Sequence, residues 1–461
     1  MLSFFDRLGQ SSRREFLSIG SLAGLSLPML LGAKAHGADV RRQTTTEKAV
    51  ILLHMHGGPS QIETWDPKMT APSSIHSATG EVKTTIPGLT FGGTFPKIAA
   101  QAHHLAVVRS YHTENGNHDI KPVVSPHTLQ ANIGSLFSRV VGPLRATGMP
   151  TNVCMFPTSV DASLMGPYAQ FGNVQQAGQL GAQYGPFVPG AGGPMQRNMS
   201  LNVPRDRLDD RRLLLTQLDD LKRRLEGTQD LAGQDRLTQQ AFDVILGGIG
   251  EAFDLSREDP RVVAKYDTSA YDRASAWAHK NNKTHYSHYS RSLGKLLLLA
   301  RRLVEHGVGF VTINTAFVWD MHEDVNNLPM VDGMELVGRP FDHAVAAFIE
   351  DVENRGLSDR ILLVATGEMG RTPTLQRNGG RDHWGRLAPL LMHGGGMTHG
   401  QVIGQSARNA GEPASEPLTP RHLVATIMQT LMNPAEVRLV LGLPADVMRI
   451  VTDEAAIPGL M

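Results

Sequence analysis

The residues able to do chemistry in this chain fall in short runs of histidine and acid that lie far apart in sequence. His54 and His56 stand just before Gly57-Gly58, with Ser60, Glu63 and Asp66 close behind. Ser110, His112, Glu114, His118 and Asp119 make a second run, and Trp319-Asp320-Met321-His322 a third. The fourth is Gly367-Glu368-Met369-Gly370-Arg371, continued by Arg381-Asp382-His383. Imidazole mixed with carboxylate is the donor set of a borderline divalent cation, so Asp320, His322, Glu368, Asp382 and His383 are the expected metal ligands. Such a set suits Zn²⁺ or Mn²⁺ better than Ca²⁺, which prefers oxygen alone. Spacing leaves the number of ions open.

Electrostatics gives a second reason to expect a cation. Asp320, Glu368 and Asp382 brought within ~5 Å of one another would repel by roughly 3 kcal/mol per pair at an effective dielectric of ~20. Either a divalent ion offsets that, or Arg371 and Arg381 do. Arg371 is also the expected clamp for an oxyanion, because a planar guanidinium matches one bidentately. Ser60 and Ser110 are the candidate nucleophiles. His56, Asp66 and His118 complete the candidate site. Competing chemistries lack their signatures: there is no Walker A loop, no Gly-x-Gly-x-x-Gly after a strand and no Gly-x-Ser-x-Gly elbow. A single cysteine, Cys154, excludes a multi-thiolate metal site and an internal disulfide.

These runs need a scaffold that gathers them, and apolar periodicity supplies one. Ala49 to Met55, Leu105 to Arg109, Asn152 to Phe156, Val308 to Asn314, Arg360 to Thr366 and Pro389 to Met392 read as buried strands. Helical spacing recurs over 285–306, 341–354 and 420–432, the last with Thr419 as N-cap. Strands alternating with helices predict an α/β fold with a mostly parallel sheet sandwiched between helices. In such sheets ligands bind beyond the carboxyl ends of the strands, which is where the His and acidic runs fall. A Gly-rich loop over 165–200 and a helical insertion over 205–260 interrupt a single domain spanning 41–461.

With 461 residues, 44 Lys plus Arg and 44 Asp plus Glu, the formal net charge is 44 − 44 = 0. The chain therefore has no bulk attraction for nucleic acid, and no nucleic-acid partner is expected. Residues 1–40 read as an address. Ser12-Arg13-Arg14-Glu15-Phe16-Leu17, a 13-residue run from Ile19 to Leu31 and Ala33-Lys34-Ala35 resemble a twin-arginine signal peptide cut after Ala35. That predicts export to the periplasm or cell envelope of a bacterium, with no transmembrane segment in the mature chain.

Gly57-Gly-Pro-Ser-Gln-Ile-Glu-Thr-Trp-Asp-Pro-Lys68, Trp319-Asp-Met-His322, Gly367-Glu-Met-Gly-Arg-Thr-Pro373 and Gly380-Arg-Asp-His-Trp384 together resemble the family called domain of unknown function 1501. That family is placed in the alkaline-phosphatase/sulfatase-like superfamily, and the similarity runs from about Lys48 to Leu460. The resemblance implies an alkaline-phosphatase-like fold, one or two divalent metals, and cleavage of a phosphate or sulfate ester: a small ester, or a sulfated or phosphorylated glycan. Asp320 and His322 resemble the first metal-binding segment and His383 the last histidine ligand. Glu368 stands where a consecutive Asp-His pair is expected. The first-strand Asp is absent; His54 and His56 occupy its neighbourhood, with Asp66 further off. The formylglycine motif Cys/Ser-x-Pro-x-Arg is missing, which argues against that class of sulfatase. The missing Asp-His pair leaves a second reading open, a catalytically degenerate relative that binds glycans or proteins outside the cytoplasm.

Overall fold

The computed structural model describes residues 44–145, 148–189 and 249–460. The signal-like segment 1–40, the end of the Gly-rich loop from 190 and the helical insertion as far as 248 lie outside the described residues. Among the described residues eleven strands follow in chain order: β1 Ala49–His54, β2 Glu81–Lys83, β3 Thr90–Gly92, β4 Leu105–Val108, β5 Asn152–Met155 and β6 Phe310–Asn314; then β7 Ile361–Thr366, β8 Gly370–Arg371, β9 His383–Trp384, β10 Leu390–Gly394 and β11 Gln401–Ile403. Seven build one sheet in the order β11-β4-β10-β7-β1-β6-β5. Strands β5, β6, β1 and β7 run parallel, β10 runs against both β7 and β4, and β11 is parallel to β4.

The central strands are buried along their whole length because both faces of the sheet are covered. In β1, Ile51 and Leu53 enter one hydrophobic core while Val50 and Leu52 enter the other. β7 divides the same way, Leu363 and Ala365 against Leu362 and Val364. The helices Lys283–Glu305 and Arg339–Asn354 cover the first face; Ile133–Val141 and Pro420–Leu431 cover the second. This is the α/β sandwich that the alternation of elements implied, with the helix expected over 285–306 beginning two residues earlier. At Thr419 the backbone N–H donates to His422 Nδ1 at 3.1 Å. Among the described residues no helix is long and apolar enough to cross a membrane.

Register aligns the strand ends that matter. His54 pairs with Asn314 on one side and Thr366 on the other, so β1, β6 and β7 finish at one level. The segments leaving them, with the segment leaving β4 and the small β8–β9 ladder, converge beyond that edge. In β8–β9, Arg371 pairs with His383.

Candidate metal centre

The turn after β1 sets the approach distances. Gly57 and Gly58 have φ of 119° and 80°, a region that favours glycine. A Cβ on Gly57 would stand 2.7 Å from the backbone nitrogens of Trp319 and Asp320. One on Gly58 would meet Met369 Cγ at 2.8 Å. The two glycines thus let the segments after β6 and β7 close on the β1 turn. Trp319 and Met321 sink into the first core while Asp320 and His322 join the cluster beyond the sheet edge, so the run Trp-Asp-Met-His alternates anchor and donor.

There His118, Asp320, His322 and His383 each present one donor atom, and the four atoms lie within 4.8 Å of one another. Asp320 Oδ1 is 2.8 Å from His322 Nε2 and 3.3 Å from each of His118 Nε2 and His383 Nε2. His322 Nε2 and His383 Nε2 are 2.7 Å apart. These separations approximate the edges of a coordination tetrahedron with ~2.0–2.1 Å bonds, about 3.3 Å long.

The outward nitrogens are held by carboxylates. His118 Nδ1 is 3.0 Å from Glu368 Oε1, and His322 Nδ1 is 3.4 Å from Asp382 Oδ1. Carboxylates placed so behind metal-binding imidazoles fix the tautomer and aim Nε2 inward. Glu368 is itself fixed by the Gly57 N–H, which donates to its Oε1 at 2.9 Å. His118 Nε2 is buried and makes no hydrogen bond. With Glu368 at its back and only the Asp320 oxygen, 3.3 Å away, at its front, this buried imidazole nitrogen is placed as a donor to a cation. The residues present fit a divalent ion.

Charge in the cluster is strongly polarised. Burial opposes ionisation of Asp320, but the Arg371 guanidinium and three imidazoles hold its carboxyl far below the usual range. Burial also opposes ionisation of Glu368, yet His118 and the neighbouring imidazoles bring it to about 2. For His118, burial favours the neutral ring and the two carboxylates outweigh it, raising the pKa. Burial wins at His383, which is lowered despite Asp320.

The structure sorts the expected site residues. It gathers Asp320, His322 and His383 and adds His118 to them. Glu368 and Asp382, expected as direct ligands, stand one layer out, facing the far nitrogens of His118 and His322. The three carboxylates are therefore interleaved with imidazoles, and their mutual repulsion is relieved without their sharing one ion. Arg371, expected as an oxyanion clamp, is fully buried with all three nitrogens committed. Its Nε donates to Gly58 O at 2.7 Å, Nη1 to Arg381 O at 3.2 Å, and Nη2 to Asp320 Oδ1 at 2.7 Å and to Gly57 O. Arg381 serves elsewhere, donating to Glu63 Oε1 at 2.9 Å.

Neither hydroxyl candidate hydrogen-bonds to any of the four donors. Ser60 Oγ donates to Glu63 Oε2. Ser110 Oγ is buried against Gly404, beside β11 and away from the β1 turn. Asp66 is tied to Lys68 at 3.1 Å, Arg109 at 3.4 Å and the Ser406 hydroxyl. His56 is wholly buried between His54 and Phe317, ring centroids 5.2 and 5.0 Å away, and burial lowers its pKa to about 3. Two residues in contact with the histidine and acid cluster carried no signal in the sequence. Asn327 Nδ2 donates to Asp320 Oδ2 at 2.9 Å, and Asn314 Oδ1 is 2.7 Å from His54 Nδ1.

Several solved structures share a distant likeness. A sulfatase, PsFucS1, from Pseudoalteromonas sp. aligns at 12% identity over 96% of this chain and 77% of its own, with a TM-score of 0.37. Ps i-CgsB in complex with k-i-k-neocarrahexaose aligns at 11% over 83% and 71%, TM-score 0.33. The phosphonate monoester hydrolase of Agrobacterium radiobacter aligns at 11% over 83% and 73%, TM-score 0.26. Likenesses this loose do not extend any of those activities to this chain. No curated protein matches the sequence. Residues 47–461 match the family model described as protein of unknown function (DUF1501), and the chain belongs to that family.

Proposed function

We propose that the protein is an exported metal-dependent hydrolase of phosphate or sulfate esters, with His118, Asp320, His322 and His383 as the metal ligands. The observation that carries the reading is the convergence of three imidazole nitrogens on one carboxylate oxygen, two of the rings backed by acids. Zn²⁺ or Mn²⁺ suits this donor set. A divalent cation bound there supplies Lewis-acid polarisation of an ester oxygen and acidification of water near neutral pH.

The chain's own residues do the rest. Glu368 and Asp382 keep the His118 and His322 Nε2 lone pairs turned inward. Arg371 holds Asp320 ionised and ties it to the carbonyls of the Gly57-Gly58 turn. Among the described residues no Ser or Thr hydroxyl hydrogen-bonds to any of the four donor residues' side chains. Water is taken as the attacking group in this reading. Its oxygen bonds to phosphorus or sulfur, the bond to the alcohol oxygen breaks, and the alcohol leaves with a proton. Export rests on the Arg13-Arg14 signal-like segment.

A second reading has its own observation. Arg371 already neutralises Asp320, which is what a metal-free relative that binds glycans or proteins would retain. Turnover separates the two. Purified full-length protein supplied with Zn²⁺ or Mn²⁺ is expected to hydrolyse members of a panel of phosphate and sulfate monoesters, and His383→Ala to abolish this. A well-folded, metal-loaded wild type inert across the panel would favour the binding module.

A further inference from the structure

One group of rings beside the centre belongs to neither hydrophobic core. Phe317, which follows β6, carries Tyr168 stacked on it at 5.3 Å and 24°, and Phe171 at 5.1 Å and 39°. Both partners come from the Gly-rich loop. None of the three is part of either buried core. Their neighbours belong instead to the metal centre: His118 lies 4.9 Å from Phe171 and 5.0 Å from Phe317. Phe317 is buried, whereas Tyr168 and Phe171 are half-buried, and Ala169 and Gln170 between them are exposed.

The loop is held in that position. The Met165 N–H donates to His288 Nδ1 at 3.0 Å, and Tyr168 meets the His285 ring edge-on at 5.2 Å. The Tyr168 hydroxyl donates to Gln170 Oε1, and among the described residues the Gln170 amide N–H groups have no hydrogen-bond partner at the exposed rim. Two half-buried rings tilted 59° to each other, Phe171 lying against the ligand histidine His118 and Gln170 at their rim, form an angled apolar platform with a polar edge. Rings stack on such a surface through their apolar faces, while hydroxyl substituents reach the rim.

We propose that Tyr168 and Phe171 form the leaving-group subsite, selecting esters whose alcohol carries a six-membered ring, a pyranose or an aryl group, over acyclic alkyl esters. The proposal rests on the hydrolase reading, since it assigns the part of the substrate that the centre releases. It is tested with wild type, Phe171→Ala and Tyr168→Ala in the full chain, each loaded with the same metal. Three matched monoesters are compared: aryl, pyranosyl and n-alkyl. The expected result is a ring-over-alkyl preference in kcat/KM in the wild type, cut about tenfold in each variant, with metal content preserved. A larger loss on the pyranosyl than on the aryl ester identifies the sugar as the source of the ring, and the reverse identifies the aryl group. Calorimetric titration with the free ring alcohols reads the subsite without turnover and should show weaker binding to both variants. If that difference is present while no ester is cleaved, the hydrolase reading fails and the subsite stands. If the variants keep both the preference and the ring-alcohol affinity, the platform is structural and the proposal is overturned.

Discussion

Histidine gathers at both edges of the sheet, with opposite results. At the carboxyl edge, the Nε2 atoms of His118, His322 and His383 surround one Asp320 oxygen. At the other edge, His104, His393 and His399 surround Glu353. There the rings serve the backbone: His393 Nδ1 donates to His104 O at 3.0 Å, and the Gly394 N–H donates to His399 Nε2 at 3.1 Å. His104 and His393 stand 3.4 and 3.7 Å from Glu353, with ring centroids 6.3 Å apart. Composition is nearly the same in the two clusters. What separates them is what holds the rings: acids stand behind His118 and His322 at the carboxyl edge, whereas backbone groups hold His393 and His399 at the other.

The contrast breaks most easily at Arg371. Arg371→Ala leaves Asp320 buried without its countercharge, and chemical denaturation of the metal-free protein should show a loss of about 3–5 kcal/mol. Saturating Zn²⁺ should recover much of that loss, because a cation then neutralises Asp320. No such rescue is expected from any substitution at the far edge.

The far cluster has its own signature, in acid. Burial lowers the His393 pKa to about 4, against ~6.5 in the unfolded chain. Between those values the unfolded state binds more protons, so stability is complete above about pH 6.5 and is lost as pH falls through 4. The contribution is up to ~3 kcal/mol. In His393→Gln, urea midpoints measured from pH 7 to 4 should fall less steeply than in the wild type.

At the metal centre the acids behind the rings should matter in proportion to burial. Glu368→Gln is expected to weaken Zn²⁺ binding by about 10–100-fold in a competition titration, the usual cost of losing such a partner. Asp382→Asn should cost less than about threefold, since Asp382 is 56% exposed and 3.4 Å from its ring.

Much of this was legible before the structure. The buried runs of β1, β6 and β7 announced a sheet covered on both faces, and the strand-end rule placed the His and acidic runs at one edge. Asp320 and His322 could be named because they follow β6 closely, and His383 because it stands in the Arg-Asp-His run after β7. His118 could be singled out among five histidines in 25 residues, but nothing local shows that Glu368 holds it from 250 positions away or that it faces Asp320. The layer each acid occupies was also illegible, because Glu368 and Asp320 share a chemistry and differ only in which side of His118 they reach. Arg371 read as a free clamp, since sequence cannot show that the Gly57-Gly58 turn consumes its donors.

Whether the convergent cluster holds a cation is decided by equilibrium dialysis of the purified full-length protein against Zn²⁺ or Mn²⁺, read by elemental analysis. About one ion retained per chain, lost in both Asp320→Ala and His383→Ala but kept in His393→Gln, is the expected result. Protein that retains no ion, with a Tm unmoved by either metal or by chelator, would contradict the account and leave Arg371 as the sole countercharge of Asp320.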